Sequence, residues 1–562
     1  MNIRRSHVVT GTAAVHAIIV LLTVSSIGPP FSVPLLSGVA AEGQPNQFQA
    51  PAGGKSAVTA GAAKEDVKTE RMRADLEFLC SPPIEGRASL SRGADATAWY
   101  LAAEMRKIGL QPPLDTGYLQ RFDVVPLRLD RDRSAIQVVV NGEERTFAPG
   151  SVFFPQPAQP IDLSLEVVFA GYGITAPELG YDDYAGVDVR GKAVLIFDHE
   201  PQEDDPKSIF HGTGFTLHAN TWTKARTAEQ HGAAAVLVAT EPINSHRAAG
   251  RVPDRANAAP QALAHSELRV PRFSVSADAA AALLRATGRT PAEWQAMIDR
   301  APAPSSRVLD SVRVRLRAAS QEASPQASWN VAGLWPGTDP KLQDDTILVT
   351  AHYDHLGVQN DKHYAGANDN ASGVAGMLEV ARLLVQQRLP RSVLFVAFGS
   401  EEQLMLGSYH YVAHPLRPLD RTVAALNLDM IGRNEEHTPE SLGAYELTAT
   451  ASDQLNLVGA VFSRDLETLL VKHAPAAGLT LSTKFDRESS MRALFRCDHL
   501  PFLQKGIPAV WLFGGWHPGY HEPADTVDRL DFDKMARVVR LAVGTVRSLA
   551  ASGDGPRFGR DR

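Results

Sequence analysis

The stretch "DTILVTAHYDHLG", Asp345–Gly357, decides the fold. A run of β-formers ends abruptly in His-x-Asp-His, a cluster that neither strand pairing nor burial requires. It is either a polar turn on the rim of a sheet or one part of a metal centre whose other ligands lie elsewhere. Working outward, "NASGVAGMLEVARLLVQQ" reads as a helix, "RSVLFVAF" as a strand, "QLMLGSYHYVAH" as a helix and "TVAALNLDMIG" as a strand. Later come "PAVWLFGG" and a closing helix, "FDKMARVVRLAVGTVRSLAA". This alternation predicts an α/β fold, a mixed, largely parallel sheet sandwiched by helices. In such folds ligands gather at the carboxyl ends of strands.

Other strand ends carry ligand-type residues too. "GANDNASG" puts Asp369 in a tight turn before a helix; "VLFVAFGSEE" ends in Glu401 and Glu402; "VAALNLDMIG" carries Asp429; "GWHPGYHEPADT" supplies His521. Each has an ordinary reading alone: acids after strands cap helices, paired glutamates suit a solvated helix N-terminus, and a lone histidine is usually structural. As a set they read as a metal centre. Zinc takes imidazole and carboxylate ligands and, when catalytic, keeps a position open. Two ions about 3.5–4 Å apart need a carboxylate between them. Asp369 suits that bridge, with His352 and Asp429 completing one ion and Glu402 and His521 the other. Asp354 is the candidate to orient His352 through its second ring nitrogen. Of the adjacent glutamates, Glu402 is read as ligand and Glu401 as the base that moves a proton from water to the leaving amine.

At 562 residues the chain exceeds one core, and usual domain sizes suggest about two to four units. A net charge of −7 with no basic stripe excludes nucleic acid as a natural partner. Arg4 and Arg5, an apolar run to Ile27 and the small-residue segment "SGVAAEG" form the order of an export signal, 1–41. Its apolar part is shorter than the about 20 residues of a spanning helix, so no stable membrane insertion is expected after cleavage. Residues 42–66 read as a flexible linker. "RMRADLEFLC" and "ADATAWYLAAEMRKIGL" have helical spacing. From 160 to 324 short β runs alternate with turn signals around one helix, "TKARTAEQHG". Its His199, His211, His218 and His231 are scattered and are expected to be surface or structural, with no ligand cluster in this segment. Cys80 and Cys497 are the only cysteines, which excludes a disulfide scaffold.

Taken in order, "AHYDHLG", "GANDNASG", "FGSEE", "NLDMIGR", "RCDHLPF" and "YHEPADT" resemble the successive motifs of the bimetallic zinc exopeptidases. That family includes secreted aminopeptidases, glutamate carboxypeptidases and the transferrin receptor ectodomain. The resemblance implies two zinc ions, His352, Asp369, Glu402, Asp429 and His521 as ligands, Glu401 as catalytic base, and a cis peptide from Asp369 to Asn370. Tyr520 and Arg496 fall where some members hold the substrate carbonyl and its oxyanion. "FAGYGITAPELGYDDYAGVDVRGKAVLI" is similar to the protease-associated domain inserted in many members. The implied division is a peptidase domain in two parts, 67–159 and 325–552, a protease-associated insertion at 160–324 and a tail at 553–562.

The leading expectation is an exported, periplasmic or secreted, aminopeptidase acting on peptides with a free N-terminus, whose ammonium suits an acidic site. A carboxypeptidase would want basic groups near the substrate carboxylate, and the sequence offers no clear arginine cluster. A glutaminyl cyclase on this scaffold works with one zinc, whereas the ligands for both are present. A non-catalytic binding ectodomain should lack ligands, and none is missing. The insertion is expected to stand beside the strand-end rim.

Overall fold

The strand Thr346–His352 is buried at every position, and its side chains feed two cores. Ile347, Val349 and Ala351 pack with residues of the helices Gly373–Leu384 and Phe532–Ala551. Leu348 points the other way, toward Tyr411 and Val412 of Leu406–Ala413 and Phe502 and Leu503 of Leu500–Gln504. A continuous apolar run is what a strand covered on both faces requires, because successive side chains alternate between them. In the computed structural model the described residues are 67–148, 159–243, 261–321, 324–439, 441, 444–447, 452–487 and 491–559. The expected signal (1–41) and linker (42–66) lie outside them. Among the described residues no helix is long and apolar enough to cross a membrane.

This strand is central in a nine-stranded mixed sheet. The order is Gln261–Leu263, Leu119–Pro126, Gln326–Trp335, Ser392–Phe398, Thr346–His352, Thr422–Asp429, Ala509–Phe513, Gln454–Val458, Thr480–Ser482. Ser392–Phe398, Thr346–His352, Thr422–Asp429 and Ala509–Phe513 run parallel. Their carboxyl ends therefore open on one rim. The two early helices are Thr69–Leu79 and Arg92–Ile108, the second capped by Ser91 and ended by Gly109 in the left-handed region.

A seven-stranded sheet holds most of the middle segment, in the order Arg272–Val275, Ala235–Ala239, Ala193–Phe197, Ile161–Phe169, Arg307–Ala318, Ala135–Val140, Glu143–Phe147. The first four strands are parallel. The last two are a hairpin from before residue 160, turned by Asn141–Gly142 with both φ positive, as an Asn-Gly hairpin requires. Its other edge pairs with Arg307–Ala318. Conversely, Gln261–Leu263 pairs with Leu119–Pro126 at the edge of the larger sheet. The two sheets thus exchange chain across the expected borders. The middle segment touches the loops beside the rim: Thr213 donates its hydroxyl to the Arg487 carbonyl at 2.8 Å, and Phe215 stacks on Phe495 at 5.4 Å.

Candidate metal centre

Strand register brings the first residues together. His352 pairs with Phe398 and Asp429 with Phe513, so the strand ends align and the following loops fold over one spot. Thr350 donates to Asn427 at 2.7 Å, Asn427 to the Cys497 sulfur at 3.0 Å, and Cys497 to Asp429 Oδ2 at 2.8 Å. This chain leaves Asp429 Oδ1 toward His352 Nε2, 3.5 Å away.

Asp369 sits in a loop stitched on two sides. The main-chain N–H groups of Asn368 and Asp369 donate to the Asp525 carboxylate, at 2.9–3.0 Å. Asn370 accepts from the N–H of Met430 and of Gly373, and Asn368 from that of Gly432. The Asp369–Asn370 peptide is cis, as the resemblance implied. Gly366 has φ +56°, and a Cβ there would lie 2.2 Å from the Asp369 carbonyl and 2.5 Å from the His355 ring, so only glycine fits. Asp369 then presents its two oxygens to different partners: Oδ1 lies 3.3 Å from His352 Nε2, and Oδ2 lies 3.0 Å from His521 Nε2.

The glutamate pair occupies a short turn after Phe398. Glu402 Oε1 is 3.3 Å from His521 Nε2 and 2.9 Å from His355 Nδ1, and Glu401 Oε2 is 3.8 Å from His352 Nε2. The expected role of Asp354 is met differently. His352 Nδ1 donates to the Asp354 backbone carbonyl at 3.1 Å, while the carboxylate is 3.8 Å from that nitrogen. The carboxylate accepts the N–H groups of Glu401 and Glu402 at 2.9 and 3.2 Å. The chain leaves the strand before Asp354, so its side chain reaches the glutamate turn.

Two contributors escaped the sequence reading. His355, buried, joins Asp369 and Glu402 as a group able to hold a metal, beside the group of His352, Asp369 and Asp429. Its signal was the second histidine of His-x-Asp-His, which the turn after His352 folds back onto Glu402. Arg87, fully buried, donates to the carbonyls of Leu79, Tyr353, Ala365 and Gly366. It ties both ligand loops to the first helices, and nothing in its local sequence marks it.

Proton affinities mirror a site built for cations. Burial pushes His352 down, but the Glu401 and Asp429 carboxylates outweigh it and hold the imidazole well above its ordinary value. Burial likewise opposes, and Glu402 and Asp369 raise, His521 to about 9. Burial pushes Glu401 well up. Burial and the Asp429 carboxylate push the Cys497 thiol well up, which disfavours the thiolate that a nucleophile needs, and burial pushes His499 down to about 3. Both cysteines are free.

The centre forms the floor of a cavity of about 970 Å³. Tyr520, stacked on His521 with centroids 3.8 Å apart, and Arg496, donating to the Met491 carbonyl at 2.7 Å, stand on its wall. Trp222, Leu263, Glu267 and Arg272 of the middle segment complete the wall.

Residues 330–546, which hold His352, His355, Asp369, Glu401, Glu402, Asp429 and His521, match the model of Peptidase family M28. This segment is similar to peptidase family M28. Over 229 residues the chain is 30% identical to Aminopeptidase YwaD of Bacillus subtilis (strain 168), covering 39% of this chain and 44% of that one. Over 210 residues it is 34% identical to the protein YfbL of Escherichia coli (strain K12), covering 34% of this chain and 64% of that one. The alignments thus span less than two thirds of either relative. Among solved structures the chain is similar to the aminopeptidase from Aneurinibacillus sp. strain AM-1, at 20% identity and a TM-score of 0.42, with 88% of this chain and 95% of that one covered.

Proposed function

We propose that the protein is an exported zinc-dependent aminopeptidase that removes the N-terminal residue of peptides. The observation that carries this is Asp369, whose two carboxylate oxygens face two separate imidazole–carboxylate groups. One carboxylate so disposed fits a pair of ions, with His352 and Asp429 on one side and Glu402 and His521 on the other; His355 backs Glu402. Bound zinc would polarise the scissile carbonyl and lower the pKa of water to about 7.

The chain's own groups do the rest. Glu401 lines the cavity beside His352 and takes a proton from the attacking water, then passes it to the leaving amine. Asp354 fixes its backbone through the N–H bond at 2.9 Å. Tyr520 and Arg496 line the same cavity and donate to the carbonyl oxygen as charge develops on it. The carboxylates of the floor attract the substrate's ammonium. The names of relatives, Aminopeptidase YwaD and Leucine aminopeptidase 2 of Trichophyton rubrum, agree with this reading. The order of charged, apolar and small residues in 1–41 supports export.

A carboxypeptidase is the second reading, because Arg269, Arg272, Arg492 and Arg496 all line the cavity. That arginine grouping was not visible in the sequence, where the four are split between two distant segments. Aminoacyl anilides and amino-blocked dipeptides with a free carboxylate separate the two. Cleavage of the anilides alone supports the aminopeptidase; cleavage of the blocked dipeptides alone makes the protein a carboxypeptidase.

A further inference from the structure

The expectation that residues 160–324 hold no ligand cluster is overturned by His199, Glu203 and Glu241, which are buried together with donor atoms within 4.8 Å of one another. They arise by the same rule as the rim. Phe197 and Ala239 are register partners at the carboxyl ends of parallel strands, and His199 and Glu241 each follow two residues later. Glu203 comes back on the turn that begins after His199, where His199 and Gln202 both have positive φ.

We propose that His199, Glu203 and Glu241 form a closed structural site for one divalent transition-metal ion, with zinc favoured by the donors. The convergence on Nδ1 argues for it. Glu241 Oε1 is in very close contact with that nitrogen and Glu203 Oε2 lies 3.1 Å from it. An imidazole nitrogen carries at most one proton and serves one acceptor well, whereas a cation draws one nitrogen and several carboxylate oxygens to a common point. The other ring nitrogen, Nε2, faces the Asp198 carboxylate at 3.7 Å, the side from which metal-bound histidines are usually oriented. One imidazole with two carboxylates matches zinc better than calcium, which takes oxygen ligands only. Exposures of 3%, 3% and 0% leave no route for a substrate, so an ion held here would brace the fold and not perform chemistry.

The site has something to hold. Between Phe197 and Leu217 the chain runs without helix or strand, longer than loops usually go unless braced. The loop's far end is tied back by Glu200, which accepts from the Thr216 N–H and hydroxyl. It carries Phe215, which lies 5.0 Å from the His199 ring and stacks on Phe495 at the cavity wall. An ion at His199 would fix that loop and, through Phe215, the wall of the cavity.

The test is zinc content of the full-length protein equilibrated in zinc-buffered solution, in the parent and in His199→Ala and Glu241→Gln. The parent should hold one ion per chain more than either folded variant, whatever number the rim holds. Asp369→Ala should lower rim occupancy and leave this ion in place, so a failed rim assignment and a failed inference read differently. Equal zinc in parent and folded variants would overturn the site and leave a metal-free ion pair. Should neither variant fold, crystals of the unsubstituted protein decide: an anomalous peak at the zinc edge among the three side chains supports the site, and its absence in zinc-equilibrated crystals overturns it.

Discussion

The rim of the nine-stranded sheet and the His199 cluster of the seven-stranded sheet are built alike and open differently. Each lies past the carboxyl ends of parallel strands, and each brings an imidazole between carboxylates. In each a carboxylate stands behind the histidine, Asp354 at 3.8 Å and Asp198 at 3.7 Å. The rim floors a cavity of about 970 Å³ and has an extra glutamate, Glu401, in its wall. The His199 cluster is closed over by its own loop. The donor set therefore decides that a cation fits, and access together with a spare base decides whether it can do chemistry.

The largest expected effect is on the open site. Chelation should abolish peptidase activity and added zinc should restore it; full hydrolysis in a sample verified as metal-free would remove the rim from the mechanism. Next is Glu401→Gln, which should cost about 10²–10⁴ in kcat while zinc content stays at the parent's level. Glu402→Gln should lower the zinc content. The reverse pattern would exchange the two glutamates.

Smaller effects sharpen the contrast. Cys497→Ala leaves Asp429 Oδ2 without its sulfur donor, and urea titration of the metal-free protein should show a loss of about 1–3 kcal/mol. Cys497→Ser keeps a donor and should recover most of it; equal losses would mean that volume and not the hydrogen bond matters. The smallest is Trp222→Ala on the wall given by the middle segment. It should raise kcat/KM for long peptides a few-fold relative to dipeptide-sized substrates. An unchanged ratio would mean that this segment braces the cavity without restricting what enters.

Much of the open site was legible because its information is local. Each candidate ligand ends a strand, sits in the Gly/Asn-rich turn or lies in the loop that follows a strand, and parallel strands in α/β folds point their ends to one place. Asp354 does meet the second ring nitrogen of His352, but through its backbone carbonyl, and its carboxylate reaches the glutamate turn, since residue spacing does not say where the chain leaves the sheet. His199 followed the same strand-end rule and was missed: Glu241 is forty-two residues away, and only the pairing of Phe197 with Ala239 makes them neighbours.

The sequence by itself determined the alternation of elements, the parallel core and the gathering of His352, Asp369, Glu401, Glu402, Asp429 and His521 at one rim. These follow from periodicity and from side-chain chemistry, which are properties of short stretches. Tertiary structure alone decided that Arg87 ties Tyr353, Ala365 and Gly366 together, that the arginines at 269, 272, 492 and 496 share one wall, and that the two sheets exchange edge strands. Each depends on groups far apart in the chain meeting at one point. That meeting is set by sheet register and by the packing of two cores, and no short window of residues encodes either.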